Sequence, residues 1–214
     1  MKINKYRWEL AKILRFDQMV TILLTLKCNQ KCWYCCQSYV DQGVHQEQDY
    51  KFWIDFIDKK KIKVVSISGG ECSLFDGVEH IINHCIEKKI LVSVVTNLKT
   101  IIPNIKKSWR VIFLASYHEG MDLKNFMTNY TTLSKKFHVT VRELHKDSNK
   151  IIPFSQVEII KTDWKFGESK CPYYTYYPDG TIIPKYNVSV RDNNFTYRFL
   201  DFLRKISGYK NRFT

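Results

Sequence analysis

Short apolar runs punctuate this chain, and most are followed by a stretch whose apolar positions repeat at helical spacing. The runs are 19–26, 63–68, 90–96, 111–116, 137–143 and 156–160. Each has the length and β-branched content of a buried strand. Between them, 49–60 places Phe52, Trp53, Phe56 and Ile57 on one helical face, and 78–88 does the same with Ile81, Ile82, Cys85 and Ile86. A short helix is expected over 101–107. Asp122 caps a further helix running to about Lys136, with Leu123, Phe126 and Leu133 inward. Before the first strand, residues 4–15 read as an extra helix with Trp8, Ala11 and Leu14 on one face.

Strands alternating with helices imply βαβ units and a parallel sheet. The fold class is therefore α/β. In curled sheets of this kind the active site lies at the C-terminal ends of the strands. The residues with chemical potential fall there. Cys28, Cys32 and Cys35 follow the first strand, and Gly69-Gly70-Glu71 ends the second. Asn97 ends the third, Ser116, His118 and Glu119 the fourth, and Arg142 lies at the end of the fifth. Three thiols within eight residues can wrap one inorganic cluster and leave one of its irons open for chemistry. The triplet taken alone suits part of a zinc site as well.

The spacing Cys-x3-Cys-x2-Cys, with Tyr34 just before the third cysteine, resembles the signature of the radical S-adenosylmethionine (SAM) superfamily. Gly69-Gly70-Glu71 at the end of strand 2 and Thr96-Asn97 at the end of strand 3 resemble that family's next two motifs. The resemblance covers about residues 18–165. It implies a partial (βα)6 TIM-like barrel at 18–165, with an N-terminal helical extension at 1–17. Residues 166–214 form a short C-terminal hairpin-plus-helix extension, its helix over about 194–206.

The resemblance implies a [4Fe-4S] cluster on Cys28, Cys32 and Cys35, and SAM bound at its open iron. Cofactor contacts follow at Tyr34, Gly69, Gly70, Glu71, Asn97, Ser116 and Arg142. Glu71 resembles the residue that holds the SAM ammonium, and the two glycines let backbone approach a ligand. Leu98 stands where the family commonly has glycine, and Cys72 where it often has proline. Ser116 reads equally as a strand cap or a ribose contact, and Arg142 as a carboxylate partner or an outward-facing cation. His118, Glu119 and Cys171 are the substrate-side catalytic candidates; a solvated loop histidine and a buried structural thiol are the plain alternatives. Cys36 reads as a packed thiol. His80 and His84 stand four apart on a helix without a third metal ligand in view.

Composition then narrows the setting. The seven cysteines read as thiolate ligands and buried thiols of a reducing cytoplasm rather than as disulfides. No apolar run nears the ~20 residues of a membrane span, and the first residues lack the apolar centre of a signal peptide. A net charge of +13 reads as a solvated basic surface, as a dock for an acidic flavodoxin- or ferredoxin-type electron donor, or as a nucleic-acid surface. The lysines sit mainly at helix ends, so they are expected around the barrel rather than at its mouth. After residue 165, Cys171 and the turn Pro178-Asp179-Gly180 resemble the start of the auxiliary-cluster extension of peptide-modifying members. Pro184 and Lys185 stand where a further cysteine would be expected, so a single cluster is implied. Tyr173, Tyr174, Tyr176 and Tyr177 suit stacking on a base or a peptide. The reading is a radical SAM enzyme acting on a peptide or protein. The alternatives are modification of a nucleotide or nucleic acid, and a non-catalytic Fe–S and SAM-binding module.

Overall fold

The structure is a computed structural model that describes residues 19–32, 35, 46–118, 120–145, 158–161 and 174–181. The helices expected over 4–15 and 194–206 lie outside these residues, as do Tyr34, Cys36, Glu119 and Cys171. In chain order the elements are β1 (Met19–Leu23), α1 (Tyr50–Lys59), β2 (Val64–Ser68), a 3₁₀ turn (Cys72–Leu74) and α2 (Val78–Glu87). There follow β3 (Leu91–Thr96), β4 (Val111–His118), α3 (Leu123–Ser134), β5 (His138–His145), β6 (Glu158–Lys161) and β7 (Tyr174–Tyr176).

The strands form one sheet in the order β6-β5-β4-β3-β2-β1-β7. Every neighbouring pair is parallel. Among the described residues β6 and β7 form its two edges, so the sheet is open, as in the partial barrel that the resemblance implies. Alternate strand positions pack against the helices. Val20, Ile22, Val65, Ile67, Val92, Val94, Phe113, Ala115 and Val141 join Trp53, Ile57, Ile81, Ile82 and Phe126 in one core. Full burial of each large side chain contributes roughly 1.5–3 kcal/mol. The opposite face carries Thr21, Ser66 and Ser93 side by side in register. Small hydroxyls stand there, where a filled barrel would carry bulky aliphatic side chains.

The helix starts follow from local chemistry. The Asp49 carboxylate accepts the N–H of Phe52, and that of Asp122 accepts the N–H of Asn125. His84 faces Asp58 across α1 and α2, with Nε2 3.0 Å from Oδ1, and His80 lies against the ring of Tyr50.

Two local expectations change, and a third is seen in part. Residues 101–107 form no helix: Pro103 biases the residue before it toward extended backbone, and Asn104 takes a φ of 56°. The Asn83 side chain replaces the intrahelical bonds, donating to Asn104 O at 3.0 Å and accepting from Lys106 N at 2.9 Å. β4 runs on to His118, which is therefore a strand residue rather than a loop residue. In the expected hairpin, the Pro178-Asp179-Gly180 turn is present, with Tyr177 N–H donating to Thr181 O at 2.9 Å. Its first arm is strand β7, laid parallel to β1; the second arm lies outside the described residues.

Lys59, Lys60, Lys61, Lys63, Lys88, Lys89, Lys106, Lys107, Lys135 and Lys136 are all exposed. They precede β2, β3, β4 and β5, so they line the strand-entry end of the sheet, away from the cysteine loop. Among the described residues no helix is long and apolar enough to cross a membrane.

Candidate active site

Past Leu23 the chain leaves β1 and crosses the end of β2 as a stem for the cysteine loop. Leu24 N–H donates to Ser68 O, Gly70 N–H to Thr25 O at 2.7 Å, and Glu71 N–H to Lys27 O at 2.9 Å. A Cβ on Gly69 would stand 2.3 Å from Thr25 O, and one on Gly70 would stand 2.2 Å from Lys27 O. Gly69 also holds a φ of 140°. The close approach that this pair permits is therefore met first by the chain's own backbone. Glu47 fixes the stem from outside, bonded to the Thr25 hydroxyl and to Lys27 Nζ.

Glu71 is 2% exposed. Its Oε1 accepts the Ser73 N–H at 3.0 Å and the Thr96 hydroxyl at 2.8 Å; its Oε2 accepts the Asn97 N–H at 2.7 Å. A buried carboxylate needs such donors to offset its lost hydration. Asn97 passes the connection on. Its side-chain amide donates to Asn29 Oδ1 at 2.7 Å, and its Oδ1 accepts the Lys99 N–H. Lys99 Nζ reaches Asn29 O at 2.8 Å. The end of β3 thus holds the residue immediately after Cys28. Leu98, where the resembled family commonly has glycine, is buried and takes a φ of 55°, the left-handed conformation that favours glycine.

Of the thiols, Cys28 is exposed, while Cys32 and Cys35 are half-buried. Desolvation pushes the Cys28 thiol up, with Glu71 and Cys35 adding to it and the Gln30 N–H and Lys99 opposing. Cys35 N–H donates to Cys32 O, which turns the loop back on itself. Cys32 Sγ lies 3.4 Å from His118 Nδ1. Burial, aided by Lys99, pushes the His118 ring down to about 4. Among the described residues no three His, Cys, Asp or Glu side chains are closed up on one point. The three cysteines are ligand candidates by chemistry and order, not as a preformed cage. Cys72 is a packed thiol, wholly buried and donating to Val95 O at 3.1 Å.

Ser116 and Arg142 are register partners on β4 and β5, so they share a face, and His118 lies two residues beyond Ser116 on that face. The structure brings Cys28, Gly69, Gly70, Glu71 and Asn97 into one bonded group through Asn29 and the stem, and brings His118 to Cys32. Sequence reasoning missed Thr25, Asn29, Glu47 and Lys99, and named Thr96 only as part of Thr96-Asn97. The place of Asn29 inside the cysteine triplet was the only available signal.

The family model described as the radical SAM superfamily matches residues 22–148, more than half of the chain. The chain belongs to the radical SAM superfamily. The cofactors of that superfamily are a [4Fe-4S] cluster and SAM. Solved structures agree in fold. SuiB of Streptococcus suis bound to its precursor peptide SuiA is 16% identical with a TM-score of 0.52, over 68% of this chain and 37% of that one. A second SuiB structure is 14% identical with a TM-score of 0.51, over 97% of this chain and 54% of that one. The chain therefore spans between about a third and just over half of SuiB. No curated sequence matches it. The donor set fits both superfamily cofactors. Three soft thiols suit iron; the Gln30 N–H donates to Cys28 Sγ, and His118 Nδ1 lies against Cys32 Sγ. The Glu71 donors gather on Oε1, from Ser73, Thr96 and more distantly Cys72, while Oε2 accepts the Asn97 N–H and has capacity for a further donor.

Proposed function

We propose that this protein cleaves SAM reductively at a [4Fe-4S] cluster to a 5′-deoxyadenosyl radical, which abstracts hydrogen from a peptide or protein. Cys28, Cys32 and Cys35 hold the cluster. Glu71 takes the SAM ammonium on Oε2, and Tyr34, Gly69, Gly70, Asn97, Ser116 and Arg142 complete the cofactor's surroundings. The bound cluster supplies the single electron that breaks the sulfonium bond. The observation that carries this reading is the bonded group at the strand ends, in which Asn97 and Lys99 grip Asn29 beside Cys28. It couples the thiol loop to the carboxylate of Gly-Gly-Glu.

The peptide preference is supported by the fold shared with SuiB, whose structure holds a precursor peptide, and by the remnant-like turn at 178–180. A nucleic-acid substrate is disfavoured because the clustered lysines at 59–61, 88–89, 106–107 and 135–136 line the strand-entry end, although Lys27 and Lys31 are exposed in the cysteine loop. The electron donor is of flavodoxin or ferredoxin type, and the cysteine usage suits a reducing cytoplasm. Glu119 and Cys171 remain substrate-side candidates.

Anaerobic reconstitution tests the reading. About four irons and four sulfides should bind, and reduction with SAM should release 5′-deoxyadenosine. Alanine at Cys28, Cys32 or Cys35 should abolish both, whereas Cys36→Ala and Cys171→Ala should keep the cluster. A full cluster that never yields 5′-deoxyadenosine would overturn the catalytic reading. About eight irons would place a second cluster in the tail.

A further inference from the structure

We infer that His118 is a positioning residue for the cluster: its Nδ1–H donates a hydrogen bond to the Cys32 thiolate and raises the cluster's reduction potential. The inference rests on the ligand reading above, in which Cys32 binds iron. His118 closes β4, while Cys32 lies on the loop after β1, yet Nδ1 and Sγ are 3.4 Å apart. A ligating cysteine is a thiolate and has no proton to give. The only hydrogen available to this contact is therefore on Nδ1, so the imidazole carries its proton there and donates to the sulfur.

The backbone holds the ring in place. His118 N–H stands 3.2 Å from Met121 Sδ, and His118 O accepts the Met121 N–H at 3.1 Å. β4 and β5 pair through His118 and Leu144. A histidine set this firmly in a strand end is poorly placed to sweep toward a substrate, but it can hold one direction toward one sulfur.

The sign of the effect follows from charge. One-electron reduction of a cluster places more negative charge on its thiolate ligands. An N–H dipole aimed at one of them favours the reduced state, so removing it makes the potential more negative. SAM cleavage requires the reduced state.

The experiment is a redox titration of the reconstituted cluster, followed by electron paramagnetic resonance without SAM or substrate. His118→Leu, His118→Gln and His118→Asn are compared with the wild type. The Asn amide nitrogen occupies nearly the place of Nδ1 and restores a donor there; Gln puts its nitrogen near Nε2; Leu has no donor. The expected result is full iron in all four proteins. The midpoint should become more negative in the Leu and Gln variants and return toward wild type with Asn. Equal midpoints in all four at full iron overturn the inference and leave the ligand reading intact. A wild type that binds no cluster, or Cys32→Ala that keeps one, overturns both. Should the Leu variant not fold, the comparison of Asn with Gln decides.

Discussion

Glu71 Oε2 accepts the backbone N–H of Asn97 at 2.7 Å, so the ends of β2 and β3 are bonded through a carboxylate where the sheet ladder stops. The residue expected to hold a cofactor ammonium is thus also a fastener of the fold. In Glu71→Gln one oxygen becomes an amide, and a buried donor then faces another donor. The expected loss is roughly 1–3 kcal/mol of stability, read from urea unfolding of the cluster-free protein. SAM affinity by calorimetry should fall as well, with the cluster retained. Unchanged stability would contradict the fastening role, and unchanged affinity the ammonium role.

Gly70→Ala should be costly for a reason inside the chain. The new Cβ meets Lys27 O at 2.2 Å, and backbone there cannot rotate away as a side chain would. Overpacking of this kind costs roughly 1–3 kcal/mol. Because Lys27 adjoins Cys28, iron loading should drop even in protein that remains folded. Normal loading with full stability in Gly70→Ala would show that the stem shifts freely.

Leu98 inverts the usual ranking of small residues. Its left-handed backbone costs an L-residue roughly 1–2 kcal/mol, while removal of a buried leucine side chain costs roughly 2–5 kcal/mol. Both Leu98→Ala and Leu98→Gly should therefore destabilise. Glycine escapes the backbone penalty and should be the milder by about 1 kcal/mol. Thermal unfolding of the two variants side by side checks the order; alanine as the milder change would refute it.

Thiol reactivity should separate ligand candidates from packed cysteines. Burial pushes Cys85 up to about 12 and holds Cys72 well above the usual thiol range. Both should resist iodoacetamide near neutral pH until the chain is unfolded. Cys28, exposed and only partly desolvated, should be alkylated in the folded cluster-free protein. Peptide mapping by mass spectrometry before and after denaturation distinguishes the two groups.

The sheet was legible because most of its strands are apolar runs, α1 because Phe52, Trp53, Phe56 and Ile57 share a helical face, and α3 because Asp122 announces its first turn. The stretch 101–107 misled because Ile101, Ile102 and Ile105 mimic a helical face, although Pro103 and the left-handed Asn104 break it. The cysteine triplet and Gly-Gly-Glu stood out as local strings. Asn29, Lys99 and Glu47 did not, since their bonds span long sequence separations and leave no local period. β7 was legible as extended chain but not as a neighbour of β1. Three residues carry too little pattern to specify a pairing partner.

The β1–β7 pairing has a kinetic consequence. Val20 lies opposite Tyr174, so the strand leading into the cysteine loop gains its second neighbour only when nearly the whole sheet has been synthesised. Contacts this distant in sequence are entropically expensive to close and tend to form late. Tyr176, packed edge-on against Phe56 at 4.6 Å, reports on that closure. Tyr176→Ala should speed unfolding in stopped-flow experiments and leave the folding rate nearly unchanged. In the nascent chain the cysteine loop is therefore complete well before the strand that seals β1 on its second side has been made.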